Sequence, residues 1–307
     1  MYFKHPNGSY IRVPQIENTG TGLPNGGMTV YYIQPPTNEK VTAFSKVRHL
    51  FAVFNRAKYS ESLIGTAPQG FRMITGDPFR RIRPTEIDPT QPEAWSLTFR
   101  CWESKAFNDP SNMYPPGGGP YDTFELPKKK CPGGIRSNTF FPSCWDGKNL
   151  DSADHQSHVA FMQGEVNPNA GIILMNGTCP SSHPVRIPMV FLETVWDTPK
   201  FHDIWPTDGS QPLVLSMGDP TGFGHHGDYL FGWEGDALQR AMDNCLDIFG
   251  SPETCRNLGG LTLQTDEEMN ACTKQVQVAE VTEGQCESPS TSLLKASALD
   301  EHLLNPD

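Results

Sequence analysis

A chain of 307 residues with a formal charge of −11 and an isoelectric point near 5.3 repels polyanions, which excludes nucleic acid and anionic membrane surfaces as natural partners. Hydrophobic residues make up 36% of it, and 28 glycines with 28 prolines divide it into short segments, a composition of a mainly β domain rather than a helical one. No stretch approaches the ~18 consecutive apolar residues of a membrane-spanning helix.

In chain order, Tyr2 to Val13 reads as an extended segment around the turn Pro6-Asn-Gly8. The opening Met1-Tyr-Phe-Lys-His-Pro6 has neither the basic nor the apolar region of a secretion signal, so the expectation is a chain that either is not secreted or lacks its true beginning. Gly26 to Ile33 is rich in β-branched and aromatic residues and predicts a core strand. Residues 45–66 carry Lys46, Arg48, Arg56 and Lys58 against the single acid Glu61, and read as an insertion or a short basic helix. Gln69 to Pro78 predicts a strand running into a turn. Trp95 to Trp102 alternates, with Leu97, Phe99 and Cys101 on one face, the period of a half-buried antiparallel strand.

Ile135 to Phe141 predicts another strand. Val185 to Trp196 is apolar on both faces, as in the middle of a sandwich. Glu193 interrupts that run, and a buried carboxylate is costly unless paired, so it is either partnered or lines a cleft. Pro212 to Met217 is a further strand. Ala237 to Phe249 places Leu238, Ala241, Met242, Cys245 and Phe249 on one helical stripe, with Gly250 and Pro252 as stops. The expected fold is mainly β, an antiparallel β-sandwich or jelly roll with one packed helix, long loops and disulfides. It forms a single domain over 1–286 followed by a polar, disordered tail over 287–307.

Eight cysteines without a CxxC pair, together with the sequons Asn7-Gly-Ser9 and Asn176-Gly-Thr178, favour a secreted disulfide-bonded protein over buried free thiols. Cys245 and Cys255, close in sequence, are a local candidate pair. Two polar stretches stand out as poor core material: Phe141 to His158, with Asp146, Asp151, Asp154, His155 and His158, and Gly218 to Asp228, with Asp219, His225 and His226. They are expected to meet in space.

Hydrolysis of a glycosidic bond needs one protonated and one ionised carboxyl group flanking it. Asp151, Asp154 and Asp228, with His158, are the acid–base candidates, while Asp146 and Asp219 read as turn residues. His155, His183, Arg186, His225 and Trp233 are candidate substrate-binding groups, and Trp145, Phe223 and Tyr229 offer further ring faces. His155, His158, His225 and Asp228 have the chemistry of a transition-metal site. The sequence lacks HExxH, however, and no cofactor or metal is expected. GxSxG, P-loop and dinucleotide motifs are absent.

Several of these runs carry a resemblance. Phe140-Phe-Pro-Ser-Cys-Trp-Asp-Gly-Lys-Asn-Leu-Asp-Ser-Ala-Asp-His-Gln-Ser-His-Val-Ala160, Gly177 to Ile187, Gly218 to Asp228, Gly26 to Tyr32 and Gly70 to Pro78 resemble the secreted fungal family known as the domain of unknown function DUF1996. The resemblance implies an extracellular protein with a signal peptide, often joined to a WSC wall-binding module, and brings no established activity with it. Relative to that family the chain lacks an amino-terminal Ser-x-His-Val-His segment, carries residues 45–66 as an insertion of the kind a translated intron produces, and is longer than expected over Gln163 to Met175.

The resulting expectation is an extracellular or cell-wall carbohydrate-active protein, a glycoside hydrolase acting on a cell-wall polysaccharide. A non-catalytic glycan-binding wall protein is the alternative. A polysaccharide lyase, with Arg186 beside His183 neutralising a uronic acid, is the third reading. The partner is a polysaccharide or cell-wall glycan in each case.

Overall fold

A computed structural model describes residues 1–16, 28–33, 70–83, 88, 90–105, 109–112, 121–164, 177–244 and 265. Among these, the strands in chain order are β1 (Tyr2–Lys4), β2 (Tyr10–Arg12), β3 (Thr29–Ile33), β4 (Arg72–Gly76), β5 (Leu97–Trp102), β6 (Asp122–Thr123), β7 (Gly134–Phe140), β8 (Cys144–Trp145), β9 (Val159–Ala160), β10 (Val185–Arg186), β11 (Met189–Trp196), β12 (Leu213–Val214) and β13 (His226–Leu230), followed by helix α1 (Ala237–Asn244). Residues 45–66, the tail 287–307, Asn176, the Cys245–Cys255 candidate pair and the carboxy-terminal part of the expected helix lie outside the described residues.

The centre is a five-stranded sheet in the order β3-β11-β7-β5-β6, antiparallel at every pairing. β11 and β7 are flanked on both sides, and all seven residues of β7 are buried. Alternation along each strand sorts the side chains onto two faces. The first face carries Phe99, Cys101, Ile135, Val190, Leu192 and Trp196. Two small sheets cover it side by side. One is β4 paired with β13, which brings Phe71, Met73 and Phe231 against Val190 and Leu192, with Leu238, Ala241 and Met242 of α1 packed on the same cluster. The other is β12-β1-β2, which brings Phe3, Val13 and Leu213, together with Phe201 and Trp205, against Phe99, Cys101 and Ile135. Each fully buried aromatic or branched side chain contributes roughly 1.5–3 kcal/mol, so this double layer is the main source of cohesion. It is an antiparallel β-sandwich, as expected.

The second face is divided. At one end Tyr31, Ile33, Phe140, Met189 and Phe191 pack against Cys144 and Met162 beside the small sheet β10-β8-β9, with Phe140 and Phe191 stacked at 4.2 Å. At the other end the side chains are polar, and they are equally buried. Disulfides Cys101–Cys131 and Cys144–Cys179 fasten the layers.

Two expectations change. The strand at Trp95–Trp102 is not half-buried: β5 is closed to solvent on both faces from Thr98 onward, because Thr98, Arg100 and Trp102 alternate inward against the second face. The run Val185–Trp196 is two strands rather than one. Pro188 has no N–H to continue a ladder, and Ile187 turns its N–H to the Ser143 carbonyl instead.

Candidate functional site

Strand β4 organises the site because both polar stretches attach to it. On one edge the amides of Arg72 and Ile74 donate to the carbonyls of Leu150 and His155 at 3.1 and 2.9 Å, and Gln156 Nε2 donates to the Gly76 carbonyl at 3.1 Å. On the other edge β4 pairs with β13, from His226 opposite Gly76 to Leu230 opposite Arg72. The register demands glycine at two points: a Cβ on Gly76 would lie 2.6 Å from the His225 carbonyl oxygen, and one on Gly227 would lie 2.6 Å from Thr139 Cγ2.

The two stretches both line a cleft of about 680 Å³. Asp154, Gln156 and Ser157 come from the first, and Gly222, Phe223 and His225 from the second. Asp77, Arg80 and Arg83 after β4, Gln91 and Glu93 before β5, and Phe124 and Phe161 complete it. The Arg83 guanidinium lies over the Phe124 ring at 4.5 Å, and Trp95 packs on Phe124 at 5.1 Å.

Of the expected acid–base groups, only Asp154 lines this cleft. Its Oδ1 accepts from the amides of Gln156 and Ser157 and from the hydroxyls of Ser152 and Ser157 at 2.7–3.0 Å. Those donors, the Ser157 amide first, hold its carboxyl far below the ordinary range. Asp151 accepts from His155 Nδ1 at 2.6 Å and pairs with Arg72 at 2.6 Å, which lowers it to about 2. Both carboxylates are therefore ionised, suited to accepting a proton or a hydrogen bond and unsuited to delivering a proton near neutrality. Asp228 stands on β13 with its side chain 59% exposed, 3.7 Å from His226 Nε2.

His158 is buried. Its Nδ1 meets Ser152 Oγ at 2.9 Å, its Nε2 meets the Arg72 carbonyl at 2.8 Å, and its ring packs on Phe71. His155, the one described non-glycine residue with positive φ, at 56°, closes the same junction. His158, His155 and Asp151 thus bind the loop to β4 and are not among the residues lining the cleft.

The expected binding groups are spread out. His183 bridges Ser182 Oγ and the Ser157 carbonyl at 2.9 and 3.1 Å. Arg186 donates to the Gly177 carbonyl at 2.9 Å and touches the Met162 sulfur. His225 lies against Phe99, with Nε2 2.9 Å from Thr139 Oγ1, and burial lowers it to about 4. Trp233 donates Nε1 to the Tyr32 hydroxyl at 2.8 Å and lines a separate hollow of about 860 Å³ with Tyr32 and Leu230. Asp146 and Asp219 accept amides within their own turns, Asp146 from Lys148 and Asn149 and Asp219 from Thr221, Gly222 and Gly224. Among the described residues no group of three or more His, Cys, Asp or Glu is placed to hold a metal ion.

Residues 1–233 match the family model described as Domain of unknown function (DUF1996). The chain belongs to the DUF1996 family. No curated protein and no solved structure matches it.

The DUF1996 chain also carries a set of polar groups that its periodicity conceals, at the polar end of the second sheet face. The Tyr31 hydroxyl donates to Glu193 Oε2 at 2.7 Å, Arg136 lies 3.8 Å from Glu193 Oε1, Arg100 pairs with Asp122 at 2.5 Å, and Asn138 Nδ2 donates to Thr98 Oγ1 at 3.1 Å. All are buried. Burial raises the carboxyl of Glu193 and the hydroxyl of Tyr31, and lowers the guanidinium of Arg136. Of the two alternatives the sequence leaves for Glu193, partnered or lining a cleft, the structure shows the first. The sequence signal for the others is confined to Arg100 and Arg136, charges within strands that carry apolar side chains such as Phe99 and Ile135 beside them.

Proposed function

We propose that this protein is an extracellular carbohydrate-active protein whose cleft holds a segment of a cell-wall polysaccharide. The observation that carries the reading is the lining of the cleft. The rings of Phe124, Phe161 and Phe223 line it together with hydrogen-bonding groups at Gln91, Glu93, Asp154 and Gln156, the mixture that suits a pyranose ring with its apolar face and hydroxyl rim. The volume lies within the range of ligand sites. Two disulfides among the described residues support an oxidising compartment, and the secreted, fungal and wall-associated reading rests on that and on the resemblance.

Binding is favoured over hydrolysis by the expected residues, because Asp151 and Asp154 are both held ionised and a glycosidase requires a proton donor. Hydrolysis remains a second reading on one observation: carboxylates from three separate segments, Asp77, Glu93 and Asp154, line the same cleft.

Retention of the full chain on insoluble wall glucans and pectins, with reducing-end release measured in the same tubes, tests both. Retention that Phe124→Ala abolishes supports binding in the cleft. Release of reducing ends that Glu93→Gln abolishes supports hydrolysis there. Absence of retention and of release on every glycan rejects the proposal.

A further inference from the structure

The hollow lined by Trp233 stands apart from the cleft. Both abut the β4–β13 ribbon, the cleft at Gly76, opposite His226, and the hollow at Leu230, opposite Arg72. The two levels lie about 13 Å apart at the usual strand rise, and the two linings share no residue. The hollow is open to solvent, since Leu230 is 72% exposed and Gly232, Glu234 and Asp236 are exposed as well. An aromatic cluster sets its apolar side. The Trp233 and Tyr32 rings meet edge to face, with centroids 5.6 Å apart and planes at 80°, and Tyr229 packs edge-on against Tyr32 at 6.3 Å. The Tyr32 oxygen accepts from Trp233 Nε1 at 2.8 Å and from the Tyr229 hydroxyl at 3.4 Å, which occupies both of its lone pairs. Its own hydrogen is left without an acceptor among the described residues. On the polar side Asp236 pairs with Arg240, whereas the Glu234 carboxylate has neither an ion pair nor a hydrogen bond among the described residues.

We propose that this hollow is a second carbohydrate site, which takes a short stretch of an uncharged glycan: a pyranose rests against Trp233, one of its oxygens accepts the spare Tyr32 hydrogen, and one of its hydroxyls donates to Glu234. The ligand class follows from the groups on offer. An aromatic wall with one unused donor and one unused acceptor beside it matches a sugar, which has apolar C–H faces and a rim of hydroxyls that both donate and accept. A purely apolar ligand would strip water from Tyr32 and Glu234 and return no hydrogen bond. Asp236 and Arg240 cancel each other, so Glu234 is the charge left facing the ligand, and it repels a uronate or any other anion. The site is also set before the ligand arrives. Tyr32 stands on β3, paired to β11, and Trp233 is oriented by its bond to Tyr32, so little side-chain freedom remains to be lost on binding. The proposal shares the carbohydrate reading of the cleft but uses none of its residues, so the two fail separately.

Calorimetry on the full chain with cellotriose, laminaritriose and triacetylchitotriose provides the test, using Gly232→Val, Trp233→Ala and Glu234→Ala in the hollow and Phe124→Ala in the cleft. Gly232 and Glu234 are exposed, and a Cβ on Gly232 would meet nothing within 4 Å, so these two variants fold even where Trp233→Ala does not. The expected result is a neutral triose that still binds the Phe124→Ala chain, through the hollow. In that background Glu234→Ala should weaken binding about tenfold, the loss of one hydrogen bond to a charged group, and Gly232→Val or Trp233→Ala should abolish it. Loss of all triose binding in Phe124→Ala alone overturns the hollow and leaves the cleft reading standing. Binding that survives Phe124→Ala but is indifferent to Gly232→Val and Glu234→Ala overturns the hollow as well. Failure of every triose to bind the wild type also overturns it, and the cleft reading then stands or falls on retention by the insoluble polymers.

Discussion

Replacing Arg136 and Glu193, singly and together, separates what their pairing does from what their burial costs. The two sit on adjacent central strands 3.8 Å apart, at 0% and 2% side-chain exposure. Removing one leaves the other as a buried charge with a weakened partner set, a loss of about 3–5 kcal/mol. For Glu193→Leu the Tyr31 hydroxyl also loses its acceptor, which places this variant at the upper end. At about 2–4 °C per kcal/mol for a domain of this size, each single variant should melt roughly 10 °C lower. Arg136→Met with Glu193→Leu removes both charges and keeps the volume, and should recover most of either single loss, short of the wild type by the roughly 1–3 kcal/mol of the Tyr31 hydroxyl left without its Glu193 acceptor. The measurement is a thermal or urea melt followed by near-ultraviolet circular dichroism on all four proteins. If the double variant loses the sum of the single losses, the two groups do not interact, and the description of the buried polar groups as a coupled set is wrong.

Other expectations are simpler to check. Cys101→Ser with Cys131→Ser opens a loop of sequence separation 30 and should cost about 3–4 kcal/mol by loop entropy, readable in a urea melt. Gly227→Ala should lower the melting temperature by an amount equivalent to about 1–3 kcal/mol, since its Cβ would meet Thr139 Cγ2 and Phe141; a neutral result would show that β13 can shift. His225 is lowered from 6.5 to about 4 by burial. An unfolded histidine takes up a proton over that window while the folded one does not, so stability should fall as pH drops from about 6.5 towards 4, and His225→Gln should flatten that slope. Glu193 acts in the opposite sense: its raised carboxyl favours the folded state at low pH and loses that advantage as pH rises through the folded value, a slope that Glu193→Gln should remove. Asp151, lowered to about 2, should stabilise above its ordinary value near 3.8 and lose that contribution only as pH falls towards 2, which Asp151→Asn would show in an acid titration.

The fold was legible wherever hydrophobic period decided it. β3, β5 and β11 fall inside the stretches predicted as strands, β7 starts one residue ahead of its stretch at Gly134, and α1 begins at the predicted Ala237, because alternation and helical striping are local properties. What the period could not convey was the sign of burial for polar residues. Thr98, Arg100, Arg136 and Asn138 occupy inward positions that look solvent-facing in sequence, since pairing with Asp122 or Glu193 depends on strand order alone. The polar stretch Phe141–His158 was located from its density of titratable groups, but density does not distinguish a reactive group from one that holds a loop. Asp154 and His225 reach a shared cleft. Asp151, His155 and His158 hold the junction with β4, and the difference lies in partners 79 to 86 positions away in the chain, Arg72 among them.

That junction has a further implication for how a ligand meets this surface. The wall of the cleft bearing Asp154, Gln156 and Ser157 is tied at His155, His158 and Gln156 to a strand that is itself paired on its other edge. Its hydrogen-bonding groups therefore do not have to be ordered when a partner arrives, and the entropic penalty of about 0.5–1.5 kcal/mol for each side chain otherwise immobilised on binding has already been met during folding. A recognition surface of this kind discriminates by shape: a partner that does not match the preset spacing gains little by induced adjustment, so under the carbohydrate reading proposed for the cleft, selectivity between glycans of different linkage should exceed selectivity between chains of different length.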